Sequence, residues 1–219
     1  MNNNFLITRP NYDDATGYLF YYAKEVIDYA KKIGVEFFDL VRPKLTKTNF
    51  ISLLDKKDPV LVLFNAHGDD KRIYGDKIKD KEEVLIEEGK NNSVLFDRIV
   101  YARACYSGLS LGENCIGKKG CFIGYRTPFS FLIDERWSAK PLNDKTAKLF
   151  LEPSNLIAIS LLKGNRAEDA FDKSLNMMKK NMMKLMKVEK EPCTMASMMV
   201  LWNNMQGQTI LGNKNAKFK

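Results

Sequence analysis

Apolar residues recur along the chain in two periods, and the switches between them mark out its elements. Phe5–Thr8 is a short apolar run closed by Arg9-Pro10, which predicts a buried strand. Asp13-Asp14 then offers an N-cap and a first-turn acid, and Tyr18, Tyr22, Val26, Ile27 and Ala30 follow at helical spacing as far as Gly34. Val35–Val41 predicts the next strand, and Thr46–Lys57 a helix with Phe50, Leu53 and Leu54 on one face. Past Pro59, Val60–Phe64 is a continuous apolar run, the pattern of a central strand covered on both sides.

Arg72–Gly89 is more polar and reads as a small hairpin, with Gly75-Asp76 at its turn. Ser93–Arg98 predicts a short helix, and Ile99–Ala104 and Cys121–Tyr125 two further strands. Phe129–Lys145 has no period and predicts a long loop, of a length that is often functional in compact domains. Asp144–Phe150 begins a helix, and Leu156–Leu162 either continues it past Pro153 or forms another. Ala167–Lys187 is the longest helical pattern; a helix over Met195–Asn204 and a short strand, Thr209–Leu211, close the chain. Strands alternating with helices predict a doubly wound α/β sheet. With no internal repeat or low-complexity linker, residues 1–219 read as one domain.

Composition narrows the classes. Hydrophobic residues at 45% and charged residues at 28% are the balance of a soluble globular protein. No apolar run reaches the length of a membrane span, and Met1-Asn2-Asn3-Asn4 lacks the basic and apolar regions of a secretory signal, so no membrane and a cytoplasmic location are expected. The net charge of +8 raises the question of nucleic acid, but the basic residues are spread among acids and no nucleic-acid-binding pattern accompanies them, so none is expected as partner. The densest basic groups are Lys179-Lys180 with Lys184 and Lys187, and the tail Lys214, Lys217 and Lys219. Four cysteines without a CxxC pair, and a single histidine, argue against a zinc site and against a disulfide framework. No metal and no cofactor are expected.

Two motifs carry chemistry. The strand Val60–Phe64 runs into Asn65-Ala66-His67-Gly68-Asp69, and the strand Ile99–Ala104 into Cys105-Tyr106-Ser107-Gly108. Both reactive residue types therefore stand at carboxyl ends of expected parallel strands, where an open α/β sheet builds its site. A cysteine thiolate is a nucleophile, and a histidine can take its proton and return it to a leaving amine. Gly68 allows a sharp turn behind His67 and leaves its N–H open, so that it and the Cys105 N–H can form an oxyanion hole. Gly108 permits a tight turn after the nucleophile. Cys115, Cys121 and Cys193 have no such setting and read as structural.

A strand ending in His-Gly followed by a strand ending in Ala-Cys-x-Ser-Gly resembles the caspase-like cysteine peptidases of clan CD, most closely the CHAT and gingipain-like branch. Thr8–Thr16, Phe122-Ile123-Gly124-Tyr125 and Gly207–Gly212 extend the resemblance over nearly the whole chain. It implies a three-layer α/β/α caspase-like sandwich with a mostly parallel central sheet. It further implies His67 as general acid/base and Cys105 as nucleophile in hydrolysing a peptide bond of a protein or peptide substrate through a thioester. A defence-related or otherwise regulated setting, and a separate regulatory subunit, are implied by the same likeness. It also points to the first strand's end and to the position two before the cysteine as setters of side-chain preference. There the chain offers Asp13, Asp14 and Arg9, and Arg103. Asp13 or Asp14, with Asp134 or Glu135 in the long loop, favours a basic residue before the cut bond; Arg9 with Arg103 favours an acidic one. The basic preference is the expectation. Asp13 also reads as a plain helix cap, and Trp137 as pocket lining or packing.

Two other readings stand beside this one. The domain is then a catalytically silent or partner-activated interaction module, or it transfers acyl groups rather than hydrolysing peptides. A last pattern is the stripe Phe171, Leu175, Met178, Met182 and Leu185, widened by Met177, Met183 and Met186 among lysines. It is expected to pack on the protein's own core.

Overall fold

The computed structural model describes residues 3–187 and 192–218. Its chain order is β1 (Asn4–Arg9), α1 (Asp14–Lys32), β2 (Glu36–Val41), α2 (Lys47–Lys57), β3 (Leu61–Asn65), β4 (Arg72–Ile78), β5 (Lys81–Glu87), β6 (Ile99–Arg103), α3 (Ser110–Glu113), β7 (Cys121–Tyr125), α4 (Lys145–Leu162), α5 (Ala167–Lys187), α6 (Pro192–Gly207) and β8 (Gln208–Gly212). Six strands form one sheet in the order β2-β1-β3-β6-β7-β8, and β4 and β5 pair separately as a hairpin. All neighbours in the large sheet are parallel except β8, which runs antiparallel to β7 at the edge. The fold is the α/β class expected, a mostly parallel sheet between two layers.

Alternation along the strands divides the core in two. Phe5, Ile7, Leu61, Leu63, Ile99, Tyr101 and Ile123 face the layer of α1, α4 and the start of α5. Their neighbours in sequence, Leu6, Val62, Phe64, Val100, Ala102 and Phe122, face α2, the hairpin and Leu111 of α3. Since successive strand residues point to opposite faces, a strand covered on both sides must be apolar throughout, and β3 is buried at every position.

Local chemistry sets the element ends. Asp13 caps α1 in a reciprocal box: its carboxylate accepts from the Thr16 N–H at 2.7 Å, while the Thr16 hydroxyl accepts from the Asp13 N–H at 3.1 Å. Gly34, at φ +70°, ends the turn beyond α1. Pro153 lies inside α4, which runs through it as one helix. A proline cannot donate to the carbonyl four residues back. Here that carbonyl, of Leu149, accepts instead from the Asn181 side chain of α5 at 2.8 Å. Asn181 thus meets a group the proline left unpaired, which is why the helix continues.

The hairpin turn is not at Gly75-Asp76, as expected, but at Lys79-Asp80, whose φ angles of +48° and +62° make the tight two-residue reversal. Gly75 lies inside β4, beside a break in register between Tyr74 and Lys77. A Cβ there would stand 2.8 Å from the Leu85 side chain, so this glycine serves close strand packing. The segment expected as a helix over Ser93–Arg98 is a single tight turn, Asn92–Leu95.

The long loop is held by Asp144. That buried carboxylate caps α4 through the Thr146 and Ala147 N–H groups and also accepts from the Asp134 N–H and the Tyr18 hydroxyl. On α5, Met178 is buried and Met182 and Leu185 pack beside it against Phe150 and Leu201, while Met183 and Met186 are exposed. The expected packing stripe therefore covers only part of the methionines. Lys219 and the side chain of Cys193 lie outside the described residues. Among the described residues, no helix is long and apolar enough to cross a membrane.

Candidate active site

β3 and β6 are parallel neighbours in a register that sets Asn65 opposite Arg103. The segments Ala66–Gly68 and Ala104–Tyr106 therefore leave the sheet side by side. The Ala66 N–H donates to the Arg103 carbonyl at 3.2 Å, extending the pairing by one residue. His67 and Cys105 then line one cavity of about 60 Å³ at the carboxyl end of the sheet, with Arg103, Thr16 of α1, and Phe129 and Phe131 of the long loop.

The histidine is held from behind. The Tyr74 N–H donates to the His67 carbonyl at 3.0 Å, and Gly68 bridges to Ile73, so the hairpin fixes the backbone of His67-Gly68. A Cβ on Gly68 would lie 3.0 Å from the Ala104 Cβ and 3.2 Å from the Cys105 carbonyl. The glycine therefore lets the two loops approach. Among the described residues nothing accepts its N–H. In front, the imidazole Nε2 is 2.7 Å from an Asp13 carboxylate oxygen. Burial pushes the Asp13 carboxyl up, but the Thr16 amide, the Thr16 hydroxyl and the His67 ring outweigh it and hold it below the ordinary range.

The cysteine is half-buried, and its thiol donates to the Phe129 carbonyl at a sulfur–oxygen distance of 3.9 Å. Burial raises the Cys105 thiol above its ordinary value, with contacts to the Phe129 backbone and its own backbone acting the other way. Cys115 and Cys121 are buried and pushed up to about 12, which leaves them inert at neutral pH. Directly after Cys105, Tyr106 adopts φ +56° and donates its N–H to the Thr127 carbonyl at 3.2 Å. A left-handed residue that is not glycine costs about 1–2 kcal/mol. The chain thus makes its sharp reversal at Tyr106, not at the glycine expected to turn it. Gly108 instead lies against β7 and β8, where a Cβ would overlap the Thr209 side chain.

Arg103 is fully buried in the wall between sheet and α4. Its Nη1 donates to the Asn155 side-chain oxygen at 2.6 Å, and Asn155 in turn donates to Glu25 at 2.8 Å. Its Nε and Nη2 have no partner among the described residues. Burial pushes the guanidinium below its ordinary value, opposed by Tyr101, Tyr125 and Glu25.

Other residues expected at the site are engaged elsewhere. Arg9 forms an ion pair with Asp39 of β2 and lies 4.3 Å over the Phe20 ring. Asp14 is exposed in the first turn of α1, and Asp134 pairs with Arg136 on the loop surface. None of these, nor Glu135 or Trp137, lines the cavity. Asp13 sits at the site, but on the histidine. Sequence reasoning had no means to pair them, because a capping aspartate and a histidine partner look alike until sheet order brings β1 beside β3. Asn155 was missed altogether: a polar residue in an apolar helix was its only signal. Among the described residues, no group of three or more His, Cys, Asp or Glu side chains is placed to hold a metal ion.

No protein-family model matches the chain, and no curated protein matches it.

Proposed function

We propose that the protein is a caspase-like cysteine peptidase in which Cys105 is the nucleophile and His67 the general acid/base. The observation that carries this reading is the convergence of both side chains on one cavity from the ends of two adjacent, in-register parallel strands. In the reaction, His67 takes the Cys105 proton as the sulfur attacks the scissile carbonyl carbon. The carbonyl oxygen takes up the negative charge and accepts from the Gly68 and Cys105 N–H groups. Collapse breaks the carbon–nitrogen bond, and His67 delivers the proton to the departing amine. Water, deprotonated by His67, then cleaves the thioester and restores the thiol. Asp13 orients the ring and balances the charge it gains, as a carboxylate does beside a working histidine.

The raised thiol and its contact with the Phe129 carbonyl favour a second reading, in which the site is at rest until a partner protein moves the loop. A cysteine-directed active-site probe tests both. Labelling that vanishes in Cys105→Ala and falls strongly in His67→Ala supports the peptidase. Labelling that persists in Cys105→Ala puts the reactive thiol elsewhere, and wild-type protein that stays unlabelled alone favours the partner-activated module.

A further inference from the structure

The core uses only part of the methionine stripe of α5. Met178 is buried, while Met183 and Met186 are 54% and 73% exposed. Two neighbouring depressions of about 430 and 480 Å³ run along the outer side of the helix and share Lys180 and Lys184. The first lies between α4 and α5, with Leu156 of α4 and Met177 of α5 half-buried in its floor. The second continues over Met183 and Met186 toward the end of α5. Single exposed apolar side chains are ordinary, but a row of them rimmed by charge marks a contact face. The charge on this rim has one sign. Lys173, Lys180, Lys184 and Lys187 line the two depressions and are exposed, and among the described residues no Asp or Glu lines them. Spacings of seven, four and three residues keep these lysines on one stripe of the helix. Asp169, on the same stripe, lies a turn before Lys173 and is paired with Arg166.

We infer that this groove is a docking site for an acidic amphipathic helix of a partner protein, with the helix's apolar stripe on Leu156, Met177 and Met183 and its carboxylates on the lysines. The inference goes beyond the peptidase reading and does not depend on it, since none of these residues lines the cavity of Cys105. Charge complementarity selects the occupant. Acids at positions i, i+4 and i+7 of a bound helix repeat the spacing of Lys180, Lys184 and Lys187. An apolar residue between those acids meets the methionines, whose unbranched, polarizable side chains repack around varied partners. A helix laid in a groove is the shape such a site takes. A nucleic acid would match the lysines but bring nothing apolar to the floor. A bilayer fits poorly because the floor lies below the lysine rim. Among the described residues no aromatic side chain lines the groove, whereas Trp and Tyr anchor proteins at membrane interfaces.

The test is fluorescence anisotropy with a labelled peptide of three repeats of Glu-Ala-Leu-Glu-Glu-Leu-Ala, an acidic helix with one leucine stripe. One control peptide carries Gln for every Glu, and a second is a scramble of the same composition without the stripe. Wild-type protein is expected to bind the first peptide about 10-fold more tightly than either control. Lys180→Glu with Lys184→Glu is expected to weaken that binding about 10²-fold and to favour instead the peptide with Lys for every Glu. Met183→Ser with Met186→Ser should weaken it about 10-fold with the charge intact. All four side chains are exposed, so the variants keep the fold, which thermal unfolding checks. Absence of binding, equal binding of the scramble, or binding unmoved by the lysine reversal overturns the docking site. Vesicles of phosphatidylserine and phosphatidylcholine, and a short DNA duplex, are titrated in parallel. Tighter binding of either one, lost in the lysine variant, assigns the face to a membrane or to nucleic acid and overturns the protein partner.

Discussion

The carboxylate of Asp13 lies 2.7 Å from Nε2 of His67, across two strands that are neighbours in space and 54 residues apart in sequence. The same carboxylate caps α1. Asp13→Asn separates the two duties, since asparagine caps a helix as well as aspartate does but offers the ring no charge. The expected outcome is labelling of Cys105 slowed by about 10–10²-fold in a protein that stays folded, read by probe kinetics beside thermal unfolding. Asp13→Ala should show the same slowing plus a stability loss of about 1 kcal/mol from the lost cap.

The direction of the Asp13 shift fixes a pH dependence. Its carboxyl is held below the ordinary range in the folded protein. The stabilisation it supplies is therefore full above its unfolded value, about 4, and is lost as pH falls through the lower folded value. Wild type is expected to exceed Asp13→Asn in melting temperature at pH 7, and the gap should close below about pH 4. A gap that widened toward acid would contradict the depressed value.

The Cys105 thiol is raised by burial, so the resting protein holds little thiolate at neutral pH. Alkylation by iodoacetamide should accelerate with pH through a single ionisation above the ordinary thiol value of about 8.5. A plateau of fast alkylation reaching down to pH 6 would show a preformed thiolate and remove the need for His67 to act as base in the first step.

A Cβ on Gly68 would stand 3.0–3.2 Å from Ala104, Arg72 and Cys105, tighter than nine in ten such contacts, so these neighbours would have to give by a few tenths of an ångström. Gly68→Ala should destabilise the fold by about 1–3 kcal/mol, the usual range for overpacking. Labelling should fall further than stability, because the displaced backbone carries both His67 and the proposed oxyanion donor. Denaturant titration and probe kinetics on one preparation check the pair.

Asp144 accepts from three backbone N–H groups and one tyrosine hydroxyl inside the core. Asp144→Ala strands those donors and removes the α4 cap, an expected loss of about 2–4 kcal/mol. It should also loosen the segment that brings Phe129 and Phe131 to the cavity, seen as faster proteolysis between Phe129 and Asn143.

The parts of this architecture written in local pattern were legible from sequence. The run Val60–Phe64 has the pattern of a strand covered on both faces, and it placed His67, like Cys105 after Ile99–Ala104, just past a strand end. Parts that depend on pairing over distance were not. Pro153 reads as a helix breaker until Asn181 supplies the missing donor. Gly75-Asp76 outranks Lys79-Asp80 as a turn by residue type, yet Leu85 claims the glycine for packing. Arg103 and Asp13 were both singled out, but their duties depend on Asn155, on sheet order and on which acid reaches the cavity. None of these is a property of a short window.

The loop after Cys105 rests on late-made chain. Gly108 packs on Thr209, and the Arg126 N–H donates to the Gly207 carbonyl. Roughly a hundred residues must therefore be synthesised after Cys105 before its surroundings can close, and contacts of such long separation form slowly. The thiol thus leaves the ribosome well before the wall beside it, and a nascent chain halted short of Gln208 should carry Cys105 without its folded surroundings.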